Sequence, residues 1–207
     1  MKGRSLYCRN HQKCKTAPLS GSEPLFNLHR YNKDPKITET HNCYTFAADV
    51  IDMDQVHQCD GKANCSLRFH QPGATKGKAN LLHSASGRKC STVEELMHLD
   101  IPDLTLSSYD SKCPAGTSKI ALAVHPGEDY HYYKHARRKT RKGTKGVWIH
   151  KDGSNPAKNF DADGLPIVDP EFAARDYRPQ SILNYKDFCG FYCMPRNHPI
   201  QLKRDDS

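Results

Sequence analysis

The residues best suited to covalent chemistry are one cysteine near the start of a predicted helix and two histidines on later predicted strands. Cys43 follows Asn42 in the segment His41–Ile51, whose apolar residues are spaced for one buried helical face. Asn42 or Thr40 can cap this helix, because short polar side chains accept hydrogen bonds from the unpaired N–H groups of the first turn. The same N–H groups and the helix dipole stabilise a thiolate, so the sequence predicts that Cys43 is a nucleophile.

His131 is the predicted general base for this thiol. It lies near the start of a predicted strand, directly after the turn at residues 125–128, where its side chain can face a helix N-terminus. His150 lies 19 residues later on the next strand and can orient the first imidazole, which completes a triad on three elements. The alternative is a buried structural cysteine with two hydrogen-bonded strand histidines, because nine cysteines and 12 histidines make chance pairings common.

Two short helices followed by several strands would position these residues. The first helix begins at Cys43, and a capping-box pattern at Ser91–Glu94 predicts a second helix through Leu99. Segments rich in β-branched and aromatic residues predict strands at 119–124, 130–133, 146–150 and 187–194. Since helices precede strands, the predicted fold class is α+β, with a small antiparallel sheet packed on the Cys43 helix.

The composition bears on the size of the core and on the location of the protein. The chain has 207 residues, 36% of them hydrophobic, and a mean hydropathy of −0.80, which predicts one domain with a modest core. The best apolar run, residues 120–124, is too short to cross a membrane, so no membrane span is expected. Residues 1–20 contain no apolar stretch typical of a secretory signal, and we therefore expect the protein to be made in the cytoplasm without export by that route.

Positive charge is concentrated in residues 134–145. The net charge of the chain is +8 and its pI is near 9.0. Seven basic residues lie in this segment without an acidic residue among them: Lys134, Arg137, Arg138, Lys139, Arg141, Lys142 and Lys145. We expect the segment to be a hairpin tip that contacts a polyanion or an acidic partner protein, because its internal repulsion brings no stability. The alternative is a solvated loop without a partner.

The nine cysteines are an odd number, so at least one of them is not paired within the chain. A reducing compartment would keep most of them as thiols, and a full disulfide framework is not expected. Four of them lie between the Cys43 helix and the predicted sheet: Cys59, Cys65, Cys90 and Cys113. They could form a zinc site, but no C-x₂-C spacing supports one, and a disulfide between the first two or plain buried thiols is favoured. Cys189 and Cys193 are four residues apart on a predicted strand, which predicts that both face one side and pack in the core.

Six segments resemble, in the same order, a family of bacterial and phage proteins related to the NlpC-type and CHAP-type papain-like hydrolases. The matching segments are Asn42–Tyr44, Gln71–Gly73, Val124–Tyr133, Gly146–Lys151, Asp161–Pro170 and Asp187–Pro195. The resemblance implies a papain-like or NlpC-like fold, with Cys43 as nucleophile, His131 as base and His150 as third polar residue. It implies no metal or organic cofactor. The predicted organisation is then a basic N-terminal extension (1–40), a papain-like hydrolase-type domain (41–200) and a charged tail (201–207).

The chain departs from the family pattern in three places. It has the added basic segment, a cysteine-rich stretch from Cys59 to Cys113, and Thr45 where an amide side chain is expected. The basic segment and the N-terminal extension resemble additions in homologues from large DNA viruses.

These observations lead to two functional hypotheses. The first is a virus- or phage-associated cysteine hydrolase, a peptidase or amidase, that cleaves amide bonds in a peptide or cell-wall-like substrate and is packaged in a virus particle. Its backbone N–H groups at the start of the Cys43 helix would stabilise the oxyanion. The second is a non-catalytic virion structural protein of the minor-capsid type, which reuses the fold and contacts other virion proteins.

Overall fold

The centre of the structure is a six-stranded sheet in which every neighbouring pair is antiparallel. A computed structural model describes residues 16–59, 69–178 and 180–197. The strands are β1 (Thr105–Ser107), β2 (Thr117–His125), β3 (Asp129–Thr140), β4 (Gly143–Lys151), β5 (Ala157–Lys158) and β6 (Asp187–Pro195). Their order across the sheet is β1-β6-β2-β3-β4-β5. The last strand in the chain is therefore an interior strand of the sheet.

Short helices precede most of the sheet in the chain. The α-helices are α1 (His29–Asn32), α2 (Pro35–Thr40), α3 (Cys43–Ala48), α4 (Met53–Gln58) and α5 (Cys90–Asp100). Single 3₁₀ turns or slightly longer 3₁₀ helices lie at Ala74–Lys76, Ala79–His83 and Ala85–Gly87. The predicted α+β class with an antiparallel sheet is confirmed. None of the helices in this part of the chain has the length and apolar composition needed to cross a bilayer.

Strand β2 is buried on both faces, which explains its continuous apolar sequence. Side chains alternate along a strand, so Ile120 and Leu122 point to the face covered by helices α3 and α5. Ala121 and Ala123 point to the other face, where they pack with Trp148 and with the loops that follow β5. The two core clusters thus lie on opposite sides of the same strand.

Helix α3 is held at both ends by local hydrogen bonds. The side chain of Asn42 accepts hydrogen bonds from the backbone N–H groups of Tyr44 and Thr45, so Asn42 rather than Thr40 is the N-cap. The helix ends at Ala48, and its C-cap, Asp49, has a φ of 61°, in the left-handed region. Helix α5 begins at Cys90 and lacks a side-chain cap, so the predicted capping box at Ser91 does not form.

Most of the basic segment is β-structure rather than loop. Strand β3 continues through Thr140 and β4 begins at Gly143, so the turn is much shorter than the predicted hairpin tip. The segment lengthens the hairpin because every residue from Tyr133 to Thr140 has a ladder partner on β4, ending opposite Gly143.

A β-bulge in strand β6 separates its two cysteines onto different faces. The register between β2 and β6 shifts at Leu122 and Ala123, so Cys189 has no ladder partner there, and the next residue, Gly190, has a φ of 149°. Cys189 consequently packs with the α5 side of the sheet, and alternation directs Cys193 to the other side.

Both cysteines of β6 form disulfides, to Cys90 and Cys113. The predicted role of Cys189 and Cys193 in plain core packing is therefore wrong. The prediction that both face one side of the sheet is also wrong, because spacing within a strand cannot reveal a bulge. The same two disulfides exclude the four-cysteine zinc set, since Cys90 and Cys113 are already bonded. The predicted Cys59–Cys65 disulfide involves Cys65, which lies outside the described residues.

Residues 16–40 pack against the sheet. Leu25 forms a parallel bridge with Arg137 on β3, and the Tyr31 side chain is buried against Phe46 of α3. Residues 1–15 and the predicted charged tail, 201–207, lie outside the described residues.

Candidate functional site

The predicted nucleophile, Cys43, is a buried thiol at the first position of α3. Its Sγ lies 3.7 Å from the carbonyl oxygen of Tyr130 on β3, to which it donates a hydrogen bond. Burial raises the pKa of this thiol well above its usual range, and the nearby carboxylate of Asp129 raises it further. The thiol is therefore protonated at neutral pH, whereas a helix N-terminus alone predicts a thiolate.

The predicted base, His131, is fully buried on β3. Strand alternation directs its ring away from Tyr130 and Tyr132, which flank it and pack in the same cluster as Cys43. Its ring lies 5.0 Å from the rings of both Tyr133 and Tyr185. Among the described residues, the hydrogen bonds of Cys43 and His131 do not join the two side chains.

The structure does bring together His131 and the third predicted residue, His150. Their Nε2 and Nδ1 atoms are 2.7 Å apart, and the two rings are nearly perpendicular. His150 donates its Nε2–H to the carbonyl oxygen of Phe160 at 2.8 Å, since a carbonyl can only accept. The Nδ1 atom of a neutral His150 therefore carries a lone pair that faces His131.

Asp152 is a member of this group that the sequence reasoning missed. Its Oδ1 lies 3.2 Å from His131 Nε2 and 3.2 Å from His150 Nδ1. Its other oxygen, Oδ2, is 2.5 Å from the ammonium of Lys158 on β5. The register explains the convergence: Tyr133 pairs with His150, so the residue two positions after His150 lies opposite His131. The sequence signal that could have revealed Asp152 is its position as a polar residue two places after a strand histidine.

Burial determines the charge state of the His131 ring. It lowers the pKa of His131 to about 3, against the opposing influence of Asp152, and the imidazole is neutral at physiological pH. The surroundings are aromatic, and the buried hydroxyl of Tyr133 makes no hydrogen bond to another described residue.

Three lysines of the described residues are fully buried in the sheet, and one of them was predicted to be a surface contact. Lys134 forms an ion pair with Asp49 at 2.8 Å and lies over the ring of Phe46, so it is not available to a polyanion. Lys119 donates to three backbone carbonyls, of Ser108, Tyr109 and Ser111. Lys151 donates to those of Thr38 and Gly153. Burial lowers the pKa of each ammonium to about 8.

The other predicted polyanion contacts lie nearer the hairpin turn. Arg137 is half-buried and donates to the carbonyl oxygen of Glu23. The remaining five are exposed: Arg138, Lys139, Arg141, Lys142 and Lys145. We call these five residues the basic tip. Within the described residues, none of their side chains takes part in an ion pair.

One curated protein gives a substantial similarity. The chain is 32% identical over 169 residues to insoluble matrix shell protein 1 of Ruditapes philippinarum, and the alignment covers 80% of this chain and 86% of the relative. No protein-family model matches the chain. No solved structure matches it.

This similarity overturns the predicted function. The hypothesis of a virus- or phage-associated cysteine peptidase or amidase is wrong, because the related protein is an insoluble matrix protein of a shell. The virion part of the second hypothesis is wrong for the same reason. Burial of Cys43 is the physical feature that the sequence pattern could not reveal.

The predicted location, in the cytoplasm or a virus particle, is also wrong. The relative belongs to a shell matrix, and the Cys90–Cys189 and Cys113–Cys193 disulfides fit an extracellular location. Such bonds persist in oxidising environments and are rare in the cytosol. The absence of an apolar stretch from residues 1–20 therefore does not place the protein in the cytoplasm.

Proposed function

Because the chain belongs to the family of insoluble matrix shell protein 1, we propose that it is a non-catalytic structural protein of an extracellular matrix of the shell type. The observation that carries this proposal is the 32% identity, which extends over 169 residues and most of both chains. A similarity of that length extends well beyond any single motif.

The described structure supports a structural role in two ways. Each disulfide joins β6 to a distant part of the chain, with sequence separations of 99 and 80 residues. Bonds that close such long loops stabilise the folded protein outside the cell. The Cys43 thiol is buried and protonated, which is typical of a core cysteine.

We also propose that the fold is a papain-like arrangement in non-catalytic use. Support comes from the placement of α3, which begins at Cys43 and packs beside β3, together with the histidines on β3 and β4. A fold does not determine chemistry, so a related architecture is compatible with a matrix role.

The basic tip is the proposed contact with other matrix components. Its five cations are exposed and have no acidic partner among the described residues. Clustered surface cations attract acidic polymers, and this attraction weakens as salt screens it. We therefore propose an acidic macromolecule of the matrix as the partner.

The location tests the proposed function. In the tissue that makes the protein, an antibody should find it outside cells, and after demineralisation it should stay with the insoluble matrix residue. A cytosolic enzyme and an unrelated secreted protein serve as fractionation controls. Recovery of the protein with the cytosolic marker would refute the matrix role.

A charge-matched pair of variants tests the proposed contact. The tip variant replaces four cations by serine: Lys139, Arg141, Lys142 and Lys145. The control variant removes the same charge from scattered exposed sites: Lys76, Lys78, Lys112 and Lys186. Binding to an immobilised polyaspartate should weaken about tenfold or more for the tip variant, with a shallower salt dependence, and much less for the control. Equal losses in both variants would show that net charge, not the tip, determines binding.

A further inference from the structure

Three side chains with metal-binding atoms converge between strands β3 and β4. His131 Nε2, His150 Nδ1 and Asp152 Oδ1 all lie within 4.8 Å of one another. In the described part of the chain, no other group of three or more His, Cys, Asp or Glu side chains converges in this way. A structural matrix role does not require such a cluster in the protein interior.

We propose that His131, His150 and Asp152 bind a divalent transition-metal ion of the Zn²⁺ class. Two imidazole nitrogens and one carboxylate oxygen suit such an ion, whereas Ca²⁺ and Mg²⁺ prefer sites made of oxygen atoms. Zinc binds nitrogen and oxygen at about 2.0–2.1 Å, so its ligand atoms in a tetrahedron are about 3.3 Å apart. The carboxylate oxygen is already 3.2 Å from each ring nitrogen. The two nitrogens, 2.7 Å apart, would separate by about half an ångström.

The second ring nitrogen of His150 is held as in metal sites. Its Nε2–H donates to the carbonyl of Phe160, which leaves the lone pair of Nδ1 directed at the cluster. A hydrogen bond of this kind fixes the tautomer and the orientation of metal-binding histidines. When a metal ion binds, the hydrogen bond between His131 and His150 is replaced by two metal–nitrogen bonds. His131 then carries its proton on Nδ1.

The carboxylate of Asp152 has one oxygen available for a metal ion. Lys158 lies 2.5 Å from Oδ2, whereas Oδ1 is buried and makes no hydrogen bond. The angles to both imidazoles are therefore unsuitable for hydrogen bonds although the distances are short. A cation placed between the three atoms would satisfy Oδ1. The ammonium of Lys158 has the same sign of charge as the metal and lowers its affinity.

Zinc binding to the folded protein, measured by isothermal titration calorimetry, tests the proposal. The parent should bind one Zn²⁺ that Asp152→Asn loses, with an affinity reduced by about 100-fold or more, because loss of outer-shell partners alone costs 10–100-fold. Asp176→Asn is the matched control, since it removes an exposed carboxylate that pairs with Arg178 and is not part of the cluster. The Co²⁺ form should show visible d–d bands that disappear in Asp152→Asn, without the near-ultraviolet band of a thiolate ligand.

The outcomes distinguish this site from other sites on the chain. If folded Asp152→Asn binds Zn²⁺ as the parent does, or if Co²⁺ reports thiolate ligands only, the proposal is wrong. If Asp152→Asn fails to fold, Lys158→Gln decides the question. Removing the like charge should tighten Zn²⁺ binding by about tenfold, and an unchanged or weaker affinity would refute the site. The result does not depend on the matrix role, which the location experiment tests separately.

Discussion

At Cys43, two physical effects on the thiol act in opposite directions. The N-terminus of α3 favours a negative charge, an effect worth about 0.3–1 kcal/mol at an exposed site. Burial disfavours the thiolate much more strongly, and Asp129 adds to that effect. The balance leaves a neutral thiol that donates a hydrogen bond to the Tyr130 carbonyl.

The first prediction concerns the reactivity of this thiol. Brief treatment of the native protein with iodoacetamide at pH 7 should leave Cys43 unmodified, because the thiol is both buried and protonated. In urea without reductant the same treatment should modify it fully. Mass spectrometry of peptides that contain Cys43 measures both states, and rapid labelling of the native protein would contradict the assignment.

A second buried residue makes stability depend on pH. His135 stacks on Trp148 with a ring separation of 4.7 Å, and burial lowers its pKa to about 4, with Lys119 also lowering it and Glu23 opposing. An unfolded histidine has a pKa of about 6.5, so between these values the unfolded chain binds more protons. The stabilisation is therefore complete above pH 6.5 and is lost as the pH falls towards 4.

The second prediction follows from this loss of stability at low pH. The free energy of unfolding should decrease by up to about 3 kcal/mol between pH 7 and pH 4 through His135. His135→Gln should show a smaller decrease, because it removes this titrating group, while the exposed His29→Gln should behave like the parent. Urea unfolding followed by circular dichroism at the two pH values gives the decrease in the free energy of unfolding for each protein. An equal decrease for His135→Gln and the parent would refute the prediction.

At the scale of elements, the end of α3 is joined to the middle of β3 by a buried charge pair. Asp49 closes the helix and forms an ion pair with Lys134, and it also contacts Arg30 on α1. Lys134 has its ammonium over Phe46 and no other carboxylate within ion-pair distance in the described structure. The two partners are therefore not equivalent: Asp49 has alternative cations, whereas Lys134 has none.

The third prediction uses this asymmetry. Asp49→Asn should destabilise the protein by about 3–5 kcal/mol, because it leaves a buried ammonium without its counter-ion. Asparagine tolerates the left-handed backbone at this position, so the loss reports the charge rather than strain. Lys134→Met should cost less, and the double variant should recover part of the loss. Chemical denaturation of the three variants measures this, and a double variant less stable than Asp49→Asn would contradict it.

Several elements could be predicted from sequence because their signals are local. The Asn42 cap before Cys43 and the aromatic-rich strand from Tyr130 to Tyr133 each depend on a few neighbouring residues. The site could be predicted only in part, since His131 and His150 meet as expected but Cys43 is not bonded to either. Its burial depends on packing from distant segments. The bulge at Cys189 and the burial of Lys134 inside a basic run likewise arise from tertiary contacts.

At the scale of the whole molecule, β6 connects separate parts of the structure. It pairs with β1 and β2, and its two disulfides reach Cys90 on α5 and Cys113 before β2. Because these bonds close long loops, each restricts the unfolded chain considerably.

The fourth prediction concerns the Cys90–Cys189 bond. Replacing both cysteines by alanine should lower the free energy of unfolding by about 2–5 kcal/mol, mainly because the unfolded chain gains conformational freedom. The parent, with both disulfides intact, is the reference, and denaturant unfolding without reductant gives the difference. No loss of stability would show that strain in the bond offsets its entropic effect.

The interior position of β6 also determines when the sheet can be completed during synthesis. Strands β2 to β5 pair with neighbours in chain order, but one edge of β2 has no partner until residues 187–195 leave the ribosome. An unpaired edge of this kind joins other chains readily. A nascent chain arrested before β6 should therefore aggregate, and a synthetic peptide of residues 187–197 should suppress that aggregation by supplying the strand in trans. Timely arrival of the final strand thus decides whether newly made chains stay separate until they reach their destination.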